Sequence, residues 1–595
     1  MSQDANSGGR EEKPTTPRSS TVARTLVGLV QGIALYALYQ ATEAKAWPAT
    51  DGLVFAPLLA TAIFVPAVVV SGLGNLRPRN LAIWALAAIA LCAALAYYDI
   101  FRDPTGTNAL PRIMPGPVLW LALGGGIFIS HSMIVAGDAD RRLIATFPRY
   151  FDLAWQHGLQ LVLAACFVGI FWGLLWLGAE LFRLIKVELL AELLRKSWFS
   201  IPATTLAFTY AIHVTDARAA IVRGSQTLAL TLLSWLLPVL AVMAVAFLLA
   251  LPFTGLEPLW STRRATSILL TAATALVFLI NATYQDLRPQ NSVFAVLRHA
   301  SIVAAVALVP LVALAAYGLM LRVEQYGWAP QRIMASACIA VAVCYALGYV
   351  LAAARPRAFL ATLETTNIVT AFIILAAVLA LLTPIADPAR ISVADQVARL
   401  ESGRTAPERF DFAFLRFGSG RYGNEALDRL KRKQDGPNAA RISQMANEAL
   451  DWRTRSQAVR QRPIPLTPQA RAANIAVLYP KGQSLPMSFL QQDWSGQPSS
   501  RIPRCLIADA KCEAIMYDLD DDGTAELLIF SVPAGPAFAF KAAADERWVV
   551  IGTVTNLYCA GVREGLRDGK FELAQPQFKE VAVNQQRLRI VPGCQ

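Results

Sequence analysis

The residues best suited to chemistry lie near the C-terminus, in the run Asp518-Leu519-Asp520-Asp521-Asp522-Gly523-Thr524-Ala525-Glu526. Carboxylates at the first, third and fifth positions, with glycine at the sixth for a tight turn, gather hard oxygen ligands suited to Ca²⁺. An EF-hand would place a bidentate glutamate at the twelfth position, but Ile529 stands there. Glu526 is the substitute carboxylate, which gives Asp518, Asp520, Asp522 and Glu526 as the candidate metal ligands. The competing reading is a solvated acidic turn, since Asp and Gly are common turn residues.

Cysteine supplies the second pattern. Cys505, Cys512, Cys559 and Cys594 fall in the last stretch of the chain. An even set in a small extracytoplasmic domain points to two disulfides. Of the three pairings, proximity favours Cys505–Cys512 with Cys559–Cys594. Zinc would want close Cys-x-x-Cys spacing and histidine support, and neither is present. Cys92, Cys166, Cys338 and Cys344 sit in apolar runs and read as small apolar fillers.

Polar residues inside the apolar runs form the third set. His131, in Phe128-Ile129-Ser130-His131-Ser132, is the one mid-run ionisable group in this reading, and His213 lies near a run end. A proton relay or a ligand-binding histidine is the functional alternative for His131. The structural alternative is a neutral imidazole bonded to Ser130, Ser132 or a neighbouring helix. Asn281 and Asn367 read as interhelical hydrogen-bonding positions. Gly124-Gly125-Gly126 permits close helix approach and lacks the spacing of a phosphate loop. Arg322, Glu324 and Tyr326 form a charged group at a membrane boundary, where headgroup anchoring competes with catalysis.

These residues must be positioned by two very different kinds of element. The chain has 595 residues, 55% hydrophobic and only 16% charged, with a net charge of +12. Apolar runs fill residues 22–384, and residues 385–595 read as a soluble sequence. A span needs about 20 apolar residues to cross about 30 Å of hydrocarbon. Eleven candidates meet or approach this: Val22–Tyr39, Leu53–Leu73, Leu81–Tyr98, Val118–Ala136, Leu159–Leu177, Ser197–Val214, Leu228–Leu251, Thr266–Tyr284, Ile302–Leu321, Ile333–Ala353 and Asn367–Leu382. Ser197–Val214 is the doubtful one, being short and holding Pro202, three threonines and His213. With it, alternate loops carry 15 against 11 Lys and Arg; without it the bias vanishes at 13 each. The positive-inside rule therefore favours eleven spans, a cytoplasmic N-terminus and a C-terminal domain outside the cytoplasm. A cleavable leader ending near Ala44-Lys45-Ala46 would leave that side unchanged. Leu181–Ser200 reads either as an amphipathic surface helix or as an extension of the fifth span. The basic residues are scattered through short loops without stacking aromatics, which places them against the lipid bilayer and excludes nucleic acid as a partner.

The expected fold is a membrane all-α bundle followed by a helical connector and a small β-rich, α+β soluble domain. Its boundaries are a disordered polar N-terminus at 1–21, the polytopic domain at 22–384, the connector at 385–470 and the β-rich domain at 471–595. In the connector, Ile391–Ser402 is a helix, and Thr405-Ala406-Pro407-Glu408 matches a capping box opening another through Phe410, Phe414 and Phe417. Asn424–Lys433 and Ala439–Arg455 continue it. Strands are expected at Ala514–Tyr517, Glu526–Val532, Ala537–Phe540, Trp548–Val554, Phe571–Leu573 and Leu588–Val591.

Several local motifs occur together: Ala46-Trp47-Pro48-Ala49-Thr50, Leu251-Pro252-Phe253-Thr254-Gly255-Leu256, Asn281-Ala282-Thr283-Tyr284-Gln285-Asp286 and Arg322-Val323-Glu324-Gln325-Tyr326-Gly327-Trp328. With Leu400-Glu401-Ser402-Gly403 and Arg421-Tyr422-Gly423, the chain resembles an uncharacterised family of bacterial multi-pass membrane proteins, catalogued as a domain of unknown function. The resemblance implies the bacterial inner membrane and supplies neither an activity nor catalytic residues. Three functions compete: an envelope protein presenting a periplasmic sensing or interaction domain to a protein partner, a transporter or channel for an uncharged or lipid-like solute, and a membrane enzyme acting on a lipid-linked substrate. The missing intramembrane charges weigh against ion coupling, and no nucleophile–base pair is evident.

Overall fold

The computed structural model describes residues 18–104, 112–257, 264–284, 294–454, 467–494, 502–507, 510–532, 537–543, 547–557, 559, 561–574, 581–583 and 586–588. They form two compact units, Met1–Leu450 and Asp451–Gln595.

In the first unit the apolar runs become helices, since only internal hydrogen bonds can satisfy the backbone in hydrocarbon. They are α1 Arg18–Glu43, α2 Gly52–Gly72, α3 Pro78–Arg102, α4 Pro117–Asp140, α5 Phe147–Leu184, α6 Leu189–Arg195, α7 Ser197–Ala217, α8 Ala219–Ser234 and α9 Leu236–Thr254. After these come α10 Ala265–Ala282, α11 Phe294–Tyr326, α12 Pro330–Ala353 and α13 Phe359–Leu381. Proline in the first turn starts α3, α4, α5 and α12, where its missing N–H costs nothing. Among the described residues, ten helical stretches are long and apolar enough to cross a membrane, with Val222–Thr254 counted as one; α7, the eleventh expected span, is not among them. The chain is a multi-pass membrane protein.

The doubtful Ser197–Val214 segment is a full helix, α7, of 21 residues, about 31 Å at the α-helical rise. It lies antiparallel along α1. Thr209 faces Gly28, and Pro202 and Thr205 face Gly32, so closely that a Cβ at either glycine would come within 2.6 Å of α7. Two small residues four apart thus set this packing, as is common between membrane helices. The triplet Gly124-Gly125-Gly126 does not play that role. A Cβ at Gly125 would meet nothing within 4 Å.

Leu181–Ser200 is not one amphipathic helix. Its start belongs to α5, which runs on to Leu184; Lys186 then turns the chain with φ 60°, and the short α6 follows. Adjacent polar residues also differ from the expected pattern: α5 begins at Phe147, so His157 lies within the helix and is buried. His131 is therefore not the sole ionisable group inside the apolar helices.

Beyond α13, the unit continues with α14 Pro388–Glu401, a 3-10 turn at Pro407–Arg409, α15 Phe412–Gly418, α16 Gly420–Lys431 and α17 Ala439–Asp451. The Thr405–Glu408 capping box does not form. The 3-10 turn has no side-chain cap, and Asp411 instead caps α15 by accepting from the Phe414 N–H. Asp387 caps α14 through the N–H groups of Ala389 and Arg390. Residues of α14 also close the end of α11. Arg399 donates to the Glu324 and Gln325 carbonyls, and Gln396 to those of Tyr326 and Trp328.

The second unit is a five-stranded sheet of β1 Ile475–Tyr479, β2 Cys512–Tyr517, β3 Glu526–Ser531, β4 Ala537–Ala542 and β5 Trp548–Val554, in that order. β1 pairs parallel to β2 and the rest are antiparallel. A separate pair, β6 Val581–Val583 and β7 Gln586–Leu588, completes it. Short helices α18 Pro468–Asn474, α19 Met487–Gln491 and α20 Val562–Asp568 accompany the strands. One face of the sheet packs Phe489, Trp494, Phe540 and Trp548 edge-to-face. The other packs Ile515 and Phe530 with Leu557 and Phe571. Arg471 is buried yet satisfied, donating to the carbonyls of Leu490, Gln492 and Leu506. Phe571–Leu573 is not a strand, and the last expected strand lies outside the described residues after Leu588. Cys505 and Cys512 are disulfide-bonded to each other. Cys559 is also in a disulfide, and Cys594 lies outside the described residues.

Candidate functional site

A cavity of about 620 Å³ opens between α1, α2, α4, α5 and α7. Phe64, Phe128, Phe208 and Val168 give it apolar walls, and Gly124 leaves room where a side chain would intrude. Gln31, Ser71, His131, His157, Gln160, Thr204, Thr205 and Thr209 supply its polar groups. The threonines that make α7 less apolar than its neighbours thus face this space.

The histidines are held by hydrogen bonds from several helices. The Trp84 indole N–H donates to His131 Nδ1 at 3.1 Å. Indole can only donate, so Nδ1 is the acceptor and a neutral His131 carries its proton on Nε2. That Nε2–H lies 3.0 Å from Ser71 Oγ and donates to it. His157 Nδ1 is 3.1 Å from Ser132 Oγ, and the two imidazole centroids are 5.3 Å apart. His213 is elsewhere: it adjoins Arg24 and Thr21 at the helix ends. Asn281 and Asn367 meet at Tyr349, whose hydroxyl accepts from the Asn281 amide at 2.8 Å and donates to Asn367 Oδ1 at 2.9 Å. They tie α10, α12 and α13 together and do not join the cavity.

Charged groups cluster at the two ends of the bundle. At one end Arg24, 2% exposed, donates to Asp216 Oδ2 at 2.6 Å and to the Leu73 carbonyl, joining α1, α7 and the end of α2. Arg77 pairs with Asp138 close by along the chain ends of α2 and α4. At the other end Asp99 accepts from Arg102 and Arg112, and Asp387 accepts from Arg102 at 3.3 Å and from the Tyr98 hydroxyl at 2.8 Å. Tyr98 also meets the Tyr422 hydroxyl of α16. Arg322 and Glu324 sit on the last turns of α11, where the carbonyls of Glu324, Gln325 and Tyr326 take part in docking α14.

In the second unit, Asp518, Asp520 and Asp522 offer ligand atoms within 4.8 Å of one another, a spacing that could hold a metal ion. The turn is tied locally, the Asp518 carboxylate accepting from the N–H groups of Asp522 and Gly523. Lys541 on β4 points an ammonium into the same cluster, 2.5 Å from Asp520 and 2.6 Å from Asp522. The hydrogen bond from Lys541 holds the Asp522 carboxyl below the usual carboxylate range, and Asp520 with Asp522 pushes the Lys541 ammonium above its usual range. Glu526 stands apart from the triad. It is 1% exposed; its Oε2 accepts from the Leu519 N–H, and its Oε1 makes an ion-pair contact with Lys541 at 3.3 Å. The donor set fits a hard cation, but one that must share the cluster with an ammonium.

The sequence signals missed Gln160, His157, Arg24, Asp216 and Lys541. Residues 60–430 match the family described as Domain of unknown function (DUF4153). No curated protein and no solved structure matches the chain.

Proposed function

The chain belongs to that family, DUF4153, and from this footing we propose that it is a bacterial inner-membrane protein holding a sensing or interaction domain, residues 471–595, on the periplasmic side. The Arg102–Asp387 ion pair carries the reading. It puts the end of α3 and the exit from α13 at one end of the bundle. Between them run α4, α5, α7, the α8–α9 stretch, α10, α11, α12 and α13, eight passages with α7 and seven without it. Only an even number returns the chain to the end where α3 finishes. Adding α1, α2 and α3 gives eleven, so the N-terminus and residues after 387 lie on opposite sides. Arg77, Arg79, Arg141, Arg142 and Arg149 lie at or within a turn of helix ends on the Arg24 side, and this charge bias supports a cytoplasmic location for that side. The Cys505–Cys512 disulfide suits the oxidising compartment opposite. In this reading the triad Asp518, Asp520 and Asp522 is the domain's Ca²⁺ site, and a periplasmic protein is its partner. Alkaline phosphatase and green fluorescent protein, each fused after Gln595, test it. Active phosphatase with a dark fluorescent fusion is expected. A bright fluorescent fusion with inactive phosphatase would place the domain in the cytoplasm and end the proposal. A second reading, a carrier for an uncharged solute, draws support from the cavity between α1, α2, α4, α5 and α7.

A further inference from the structure

The cavity is built to donate hydrogen bonds without charge. We propose that it is a binding site for an uncharged lipid whose head presents carbonyl oxygens, the chemistry shared by acylglycerols and quinones. Three inward groups carry this. Gln160 is 5% exposed, lines the cavity, and forms no hydrogen bond among the described residues. An amide that faces an apolar-walled cavity with no protein partner is costly unless a group within that space bonds it, which makes Gln160 a ready partner for a ligand there. Ser71 is the second. Its oxygen accepts from His131 Nε2–H, since Trp84 has fixed the tautomer, and this leaves the serine proton free to donate. His157 is the third. Ser132 engages Nδ1, and Nε2 makes no hydrogen bond among the described residues.

The rest of the lining defines what the head cannot be. No described residue that lines the cavity carries a charge at neutral pH, and Arg24, the nearest buried cation on α1, is committed to Asp216. A phosphate head would go unpaired there, which is costly away from water. A neutral carbonyl head finds three donors, from α2 and α5, and its acyl or isoprenoid chain finds aromatic and aliphatic walls. The volume lies within the range of about 300–1,000 Å³ typical of small-molecule sites. Leu161, which also lines the cavity, is 42% exposed on the outer surface of α5, giving the site an edge toward lipid. The site does not depend on which side the C-terminal unit occupies, so it can stand or fall apart from the proposal above.

The test uses the full chain in phosphatidylcholine nanodiscs with two photoreactive probes, diazirine-bearing 1-oleoylglycerol and diazirine-bearing decylubiquinone. Saturable labelling by at least one is expected, mapped to α1, α2, α4, α5 or α7, and the probe that labels identifies the head. Excess phosphatidylglycerol should not compete. Gln160→Leu should weaken labelling by ~10-fold, the size of one lost buried hydrogen bond. Gly124→Leu, which fills the space from α4, should abolish it. Gln160 makes no hydrogen bond to another described residue, so its variant should not lower the melting temperature. Labelling by neither probe, labelling unchanged in both variants, or equal competition by phosphatidylglycerol would overturn the site.

Discussion

Arg24 illustrates how little a single residue's type says about its work. Read along the chain it is one more basic residue before an apolar run, of the kind that sets orientation. In the folded bundle it is buried and joins Asp216, a partner 192 residues away. Nothing local marks such a pair, because it exists only once α7 lies along α1. Removing one member of a buried ion pair strands the other, typically at a cost of about 3–5 kcal/mol. Arg24→Met should therefore lower the melting temperature of the detergent-purified protein markedly. Arg24→Met with Asp216→Asn should cost less than the two single losses combined. Strictly additive losses would mean that the pair does not couple. His157 escaped for a related reason: it precedes the apolar run that defines the span, but α5 begins ten residues earlier, at Phe147.

At the scale of elements, hydrophobic length was the legible signal and polar residues within helices were the obscure one. Ten spans could be read because about 20 apolar residues have few other fates. α7 was doubtful because Thr204, Thr205 and Thr209 lower its apolarity, and those same side chains line the cavity. Its packing against α1 gives a direct comparison. Gly32→Val would drive a side chain against the Pro202 backbone, whereas Gly125→Val on α4 meets open space. The first should destabilise by about 1–3 kcal/mol as an overpacking change, and the second much less. Similar melting temperatures for the two would contradict the close α1–α7 approach. In the second unit, β2 to β5 were legible from β-branched and aromatic runs bounded by turns. β1, directly after the short helix α18, was not among the expected strands although it falls inside the expected β-rich domain.

The acidic hairpin between β2 and β3 belongs to the same scale. Its spacing was visible in the sequence, but the ammonium that enters it comes from β4, which only the sheet brings near. Asp522 is depressed, so its contribution to stability is present above about pH 4 and lost as pH falls through its folded value. Lys541 is raised, so its contribution is full below about pH 10 and lost as pH rises through its folded value. Over the neutral range both groups are charged, and Ca²⁺ must compete with Lys541. On the proposed Ca²⁺ reading, Lys541→Met should enlarge the thermal shift that millimolar Ca²⁺ produces in the full-length protein at pH 7. A Ca²⁺ shift that is absent from both proteins would remove the metal from the loop.

For the whole molecule, the decisive quantity is parity. Composition can place the chain in a membrane, but one marginal helix decides where two hundred residues end up. Charge bias leaned toward counting α7, by a margin of a few residues. The geometry adds an independent constraint, because Arg102 and Asp387 meet only if the chain crosses an even number of times between them. That constraint predicts opposite labelling at two exposed positions, Arg79 near the start of α3 and Glu401 at the end of α14. With Arg79→Cys, a membrane-impermeant maleimide should react only after cells are opened. With Glu401→Cys, it should react from outside once the outer membrane is permeabilised. The unaltered chain gives the baseline, since the four free cysteines among the described residues lie in the apolar helices. Labelling of both positions from the same side would require an even number of crossings between them and therefore an odd number between Arg102 and Asp387, which that contact forbids, so the pair and the proposed eleven-span reading would fall together.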